Sequence, residues 1–331
     1  MKTRTLLPAV LTLALVAAVH SGLTPADEPK AAEPGTLVIV DGAGKEHKLK
    51  SWKFTAGIRH LTWLAPVAPP EKDPEEKKEK GSKAAPKAKP LAGPEAFIVR
   101  EDNSTTFENG VETLVPLDRL RAIDYDAEKQ TIAVRVSTSA KAEQDLTLTG
   151  PTKFLKINKL GIDAEVDKGD LGVADVRFLG GVPRGIRGVR FPAPKPPAEA
   201  KEGRPAAISY GDSKGKHVVN VADLQALYRT TDGEVLSGLL FFKKTIKIDV
   251  AKLKKITLHK EERETVWGLT LKSGDEEMLS LLPQVQLDGK DALLEGLLAR
   301  VPAGYKLFPV HLMSEIEFDV KKDESEAKPE K

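Results

Sequence analysis

One spacing of apolar residues recurs along this chain: apolar, two residues, apolar, two residues, apolar, one residue, apolar. It is clearest at Leu117, Leu120, Ile123 and Tyr125, again at Val250, Leu253, Ile256 and Leu258, and again at Val310, Met313, Ile316 and Phe318. Weaker copies fit Thr55, Ile58, Leu61 and Trp63, and Pro183, Ile186, Val189 and Phe191. The starts at 55, 117, 183, 250 and 310 are separated by 62, 66, 67 and 60 residues. A step of three suits one turn of tight helix, and a step of two is a strand whose alternate side chains share a face. Each copy is therefore predicted to be a helical turn feeding a strand, and the near-even separation marks an internal repeat.

The residues ahead of each copy predict hairpins. Thr36 to Val40 is β-branched, and DGAGK supplies a turn before HKLKSWKF. Ala226 to Arg229 runs through Thr-Thr-Asp-Gly into EVLSGLLFF, and Thr265 to Leu271 runs through KSGD into EMLSLL. A shared Gly-Leu-Leu stands at Gly238 and Gly296. The stretch 291–300 has a helical composition, but its match to the Gly238 stretch favours a strand. The expected fold is mainly β: repeated small antiparallel meander or barrel-like units with short helical turns, joined by disordered linkers. Small meanders of this type resemble SH3-like or Lsm-like barrels in pattern, and the resemblance implies no specific activity.

Between the apolar stretches lie segments rich in Pro, Lys, Glu and Ala: 27–35, 65–94, 192–205 and the tail 321–331. They cannot bury enough apolar surface to offset chain entropy. Acidic and basic residues alternate within them, so they read as solvated linkers rather than binding arms. They divide the chain into 36–64, 95–191 and 206–320. At the N-terminus, Lys2 and Arg4 precede an apolar run from Leu6 to Val19, followed by small and polar residues to Ala26. That order is expected to be a secretory signal peptide over 1–26, because the apolar run falls short of the ~20 residues of a spanning helix. No membrane span is expected after its cleavage, and the protein is expected to be exported to the periplasm, cell envelope or extracellular space.

Composition narrows the chemistry. The chain has 331 residues, 51 Lys plus Arg against 49 Asp plus Glu, and no cysteine. A near-zero balance gives no global pull toward nucleic acid or an anionic membrane. Without cysteine there are no disulfides, zinc-thiolate sites or thiol nucleophiles, so stability rests on packing.

Candidate chemistry is sparse. Gly211-Asp212-Ser213-Lys214-Gly215 matches G-x-S-x-G, the hydrolase elbow that lifts a serine at a strand-to-helix turn. Here AAISY and KHVVNV flank it, so a hairpin turn is the simpler reading and Ser213 the weak catalytic candidate. GDSKGK also lacks the spacing and the hydroxyl of a phosphate loop. His47, His60, His217, His259 and His311 are scattered, and Asp167, Asp170 and Asp175 lack the order of a calcium loop. No metal or cofactor is expected. Arg184, Arg187 and Arg190 stand at steps of three, and on a helical turn they would present one basic face to an acidic polymer. Trp52, Trp63 and Trp267 sit in apolar runs and are expected in the core rather than on a sugar-binding platform.

The resulting expectation is a non-catalytic binding or structural scaffold. Its expected partners are an envelope protein or a polysaccharide, and nucleic acid is not expected. A secreted serine hydrolase using Ser213 and an anionic-polymer binder using Arg184, Arg187 and Arg190 are the alternatives.

Overall fold

A computed structural model of the chain describes residues 35–64, 93–101, 110–138, 145–153, 157–192, 203–212, 215–260 and 265–320. The expected signal peptide 1–26, the segment 27–34, the linker residues 65–92 and 193–202, Ser213 and the tail 321–331 lie outside the described residues.

The first stretch supplies β1 (Leu37–Val40), β2 (Glu46–Leu49), β3 (Trp52–Ala56), β4 (Ile58–His60), β5 (Glu95–Val99), β6 (Glu112–Pro116) and β7 (Leu120–Asp126). The next supplies β8 (Thr131–Ser137), β9 (Asp145–Pro151), β10 (Leu160–Asp167), β11 (Val173–Gly180) and β12 (Gly188–Arg190). Beyond the second linker come β13 (Pro205–Asp212), β14 (Gly215–Thr230), β15 (Gly233–Ser237), β16 (Leu239–Phe242), β17 (Ile246–Asp249) and β18 (Leu253–Lys260). The last stretch gives β19 (Thr265–Leu271), β20 (Glu276–Ser280), β21 (Gln284–Leu287), β22 (Lys290–Val301), β23 (Gly304–Phe308) and β24 (Met313–Phe318). The fold is mainly β, with several antiparallel sheets. Residues 291–300 are strand.

The turn-and-strand spacing has a clear local structure at three places. The 3-10 turns Leu117–Arg119, Val250–Lys252 and Val310–Leu312 each close with an N–H from the fourth residue to the first carbonyl, and each leads into a strand. The first step of three is thus helical. The second is not. The ladders of β7, β18 and β24 each slip by one residue just after the first strand residue, leaving Arg121, Lys254 and Ser314 as the extra residue. A β-bulge sets two residues against one, so Leu120 and Ile123 share a face although three apart. Leu120, Ile123, Leu253, Ile256, Met313 and Ile316 are all fully buried.

At Pro183 an irregular turn precedes the short β12, with Arg184 at a φ of 59°. At Thr55 the order is reversed, since β3 and β4 come first and the 3-10 turn Thr62–Leu64 follows. Gly57, at a φ of 82°, breaks the strand there, and a Cβ on it would stand 2.2 Å from the Lys159 carbonyl oxygen. That copy is not a turn feeding a strand.

The sheets stay open, and the described residues form no closed barrel. A small meander loses its edges either by closing on itself or by pairing with a neighbour, and here the neighbours do it. Six strands lie in the order β2-β1-β12-β7-β8-β9. Six others lie in the order β14-β13-β24-β18-β19-β20, within a larger sheet that continues from β14 through β22 and β23 to β6, β5 and β4. That sheet joins 36–64, 95–191 and 206–320: β4 pairs with β5, and β6 with β23. One core lies mainly in 37–191 and takes in Ala303, another mainly in 206–318 and takes in Val111, and a smaller one holds Leu61, Ala96, Leu114, Leu227, Leu298 and Leu307. Trp267 is fully buried against Phe242, while Trp52 and Trp63 are half-buried beside Phe54 and Tyr305.

Candidate functional site

The strongest gathering of charged side chains sits where the small central core meets the surface. β4 carries Arg59 between Ile58 and His60, just ahead of the buried Leu61. Its Nε donates to Glu234 Oε1 at 2.7 Å and its Nη1 to Glu112 Oε2 at 3.4 Å, while Nη2 reaches Glu295 Oε2. Arg100 Nη2 donates to the other oxygen of Glu112 at 2.6 Å, and Arg229 pairs with Glu295. Thr62 ties down the backbone of Glu234, accepting from its N–H at 2.8 Å and donating to its carbonyl at 3.0 Å. Arg59 is 12% exposed and Glu234 10%, so water screens little of this attraction.

Burial by itself would pull the Arg59 guanidinium down, but the hydrogen bond it donates to Glu234 and the charges of Glu295, Glu234 and Glu112 hold it above its ordinary value. Three arginines face three glutamates, so the cluster is neutral overall and asks for no counter-ion. The three glutamates stand 53 to 236 residues from Arg59 in sequence, which makes it a clasp between distant parts of the chain. Glu234 Oε2 within the clasp, and His60 Nδ1 and Trp63 Nε1 close to it in sequence, are buried without a hydrogen-bond partner among the described residues.

The predicted site residues are placed elsewhere. Ser213 lies outside the described residues, but its flanks are plain: Asp212 at the end of β13 pairs with Gly215 at the start of β14. Strand therefore lies on both sides of the motif, whereas the hydrolase elbow requires strand then helix. Arg184, Arg187 and Arg190 do not share a helical face, because their segment is a turn followed by β12. Arg190 is taken up by Asp124 at 2.6 Å, which leaves Arg184 and Arg187 as the exposed pair.

His47 bonds Asp41 at 2.9 Å and packs on Phe178, and His60 lies 3.7 Å from Glu95. Asp167 accepts the Gly169 N–H of its own turn at 2.7 Å. No group of three metal-ligating side chains occurs among the described residues.

Sequence reasoning missed the clasp entirely. Its signal was present as lone charges inside apolar strands: Arg59 in GIRHL, Glu112 in VETLV and Glu295 in LLEGLL. Periodicity treats such residues as surface positions, and only pairing across the fold reveals their common destination. No family model, curated protein or solved structure matches this chain.

Proposed function

We propose that the protein is an exported, non-catalytic binding or structural scaffold of the cell envelope or extracellular space, built from internally repeated units. The observation that carries this reading is the recurring strand order. In each six-strand array the order is second, first, last, last, first, second, taken from two successive stretches of chain. That order is unchanged by exchanging the two stretches, as in an isologous pair. At the centre of one array Ile123 faces Val189, and at the centre of the other Ile256 faces Ile316. Each pairs the third apolar position of one copy with the third position of the next. Four tandem units in two pseudo-symmetric pairs account for both facts.

A scaffold fits such an object, because its polar interior groups are spent on holding units together, as in the Arg59 clasp. The proposed partner is an envelope protein or polysaccharide. Residues 27–331, tagged and used as bait on envelope and secreted fractions, should retain a stoichiometric protein or glycan that survives high salt. A bare column at both salt concentrations would refute the scaffold reading. N-terminal sequencing of exported material should begin at Asp27, and an intact Met1 would refute export by a cleaved signal.

A further inference from the structure

Each of the three 3-10 turns at Leu117, Val250 and Val310 is preceded by a strand: β6, β17 and β23 in that order. β11 holds the same place before the irregular turn at Pro183. Two of these four strands already pair with one another. β6 meets β23 antiparallel, with Thr113 opposite Lys306, Leu114 opposite Tyr305 and Glu112 opposite Leu307. Thr113 and Lys306 each stand four residues before their turns, so the contact is symmetric between equivalent strands, and both are buried.

The outer edge of β11 is closed by its own chain only at its end, where Ile186 N–H donates to the Leu179 carbonyl at 2.8 Å and Gly180 bridges Ile186. β17 pairs with β16 on one side, and among the described residues nothing pairs with its other side.

We propose that the outer edge of β17 (Ile246–Asp249) is a self-association site, at which a second copy of this chain adds its own β17 antiparallel across a two-fold axis. The proposal rests on the unit equivalence put forward above. The backbone is set for it. Val250 N–H donates to the Gly238 carbonyl at 2.8 Å, and hydrogen-bonded pairs alternate along an antiparallel ladder. Ile248 and Ile246 therefore bond inward to β16, while the N–H and C=O groups of Lys247 and Asp249 point out.

A two-fold axis through Ile248 sets Lys247 opposite Asp249 of the second copy, twice, and satisfies those outward groups. It also places opposite charges directly across the new ladder, a favourable cross-strand pair. The strand's apolar side chains, Ile246 and Ile248, are partly buried on the core of 206–318, so the joint is made by backbone and charge. The outer face beside it carries Leu239, 38% exposed.

Sedimentation equilibrium of residues 27–331 over a concentration series tests this. The wild-type chain should show a mass of two chains that falls to one on dilution. Lys247→Pro removes the outward N–H together with the Lys247 ammonium, which lies 5.6 Å from the Phe241 ring centre. It should weaken the dimer about tenfold or more with only a small change in melting, since an edge strand tolerates proline. Lys247→Glu sets like charges opposite each other and should weaken it as well. Adding Asp249→Lys to that variant restores opposite charges and should recover part of the loss.

A wild-type chain monomeric up to roughly 1 mM, a dimer indifferent to both Lys247 variants, or a mass growing beyond two chains would overturn the proposal. A monomer in which Ile256 still couples energetically to Ile316 would overturn the dimer and leave the unit equivalence standing.

Discussion

The array over 37–190 and the array over 205–318 have the same strand order but end differently. In the first, β2 is four residues long and the sheet stops there. In the second, the corresponding β14 runs for 16 residues. Asp223 interrupts it at a φ of 53°, a conformation that a short polar side chain tolerates, and its carboxylate is held by Arg300 at 2.9 Å. The first half of β14 pairs with β13, and the second half hands the sheet on to β22, β23 and β6.

The closing strands differ too. β12 has three residues behind an irregular turn, while β24 has six behind a regular 3-10 turn. Yet both centres place one buried β-branched residue directly opposite another. Burial of alternate side chains fixes the centre of such an array. Its margins are set by how far each strand runs before a turn or a left-handed residue stops it.

That comparison can be broken at the joint between the arrays. Arg59→Met leaves Glu112, Glu234 and Glu295 nearly buried without their common cation and should cost about 3–5 kcal/mol in denaturant unfolding. A loss under about 1 kcal/mol would mean that the clasp adds no stability.

The two centres come next. Ile256→Ala and Ile316→Ala should each cost about 2–5 kcal/mol. Their double mutant should depart from additivity by about 0.5–3 kcal/mol, as should Ile123→Ala with Val189→Ala. Ile123→Ala with Ile256→Ala should be additive. Coupling across the arrays equal to that within them would dissolve the distinction between the two centres.

The smallest effect separates the two Gly-Leu-Leu segments. A Cβ on Gly296 would meet the Phe308 carbonyl oxygen at 2.4 Å, whereas one on Gly238 has only Asp249 Oδ1 within reach, at 4.0 Å. Gly296→Ala should therefore destabilise by about 1–3 kcal/mol and Gly238→Ala by less than about 1 kcal/mol in either direction. Equal melting shifts would mean that the two segments share more than their sequence.

Much of the local fold was legible. The turns at Leu117, Val250 and Val310, the hairpins at Asp232-Gly233 and around Gly274, and the burial of Trp267 all follow from spacing and turn chemistry that act within a few residues. The match at Thr55 was misleading because three-residue steps arise in two ways: from a helical turn, or from a bulge or broken strand, as at Gly57. The Arg184, Arg187 and Arg190 face failed for the same reason, since the spacing of a helix does not make one when Gly181 and Gly185 flank a turn and β12 follows.

From local pattern alone came the turn-and-strand segments at 117–125, 250–258 and 310–318 and the hairpins around Gly233 and Gly274, because those properties depend on near neighbours. Only the tertiary structure decided that Arg59 meets Glu295, 236 residues away, and that the sheets remain open. It alone joined β6 to β23 and, among the described residues, left β17 at an edge. An edge strand and a central strand share one local pattern. Which of them finds a partner depends on long-range pairing, and its physical basis, matched backbone groups brought together by burial elsewhere, leaves no mark on the strand itself.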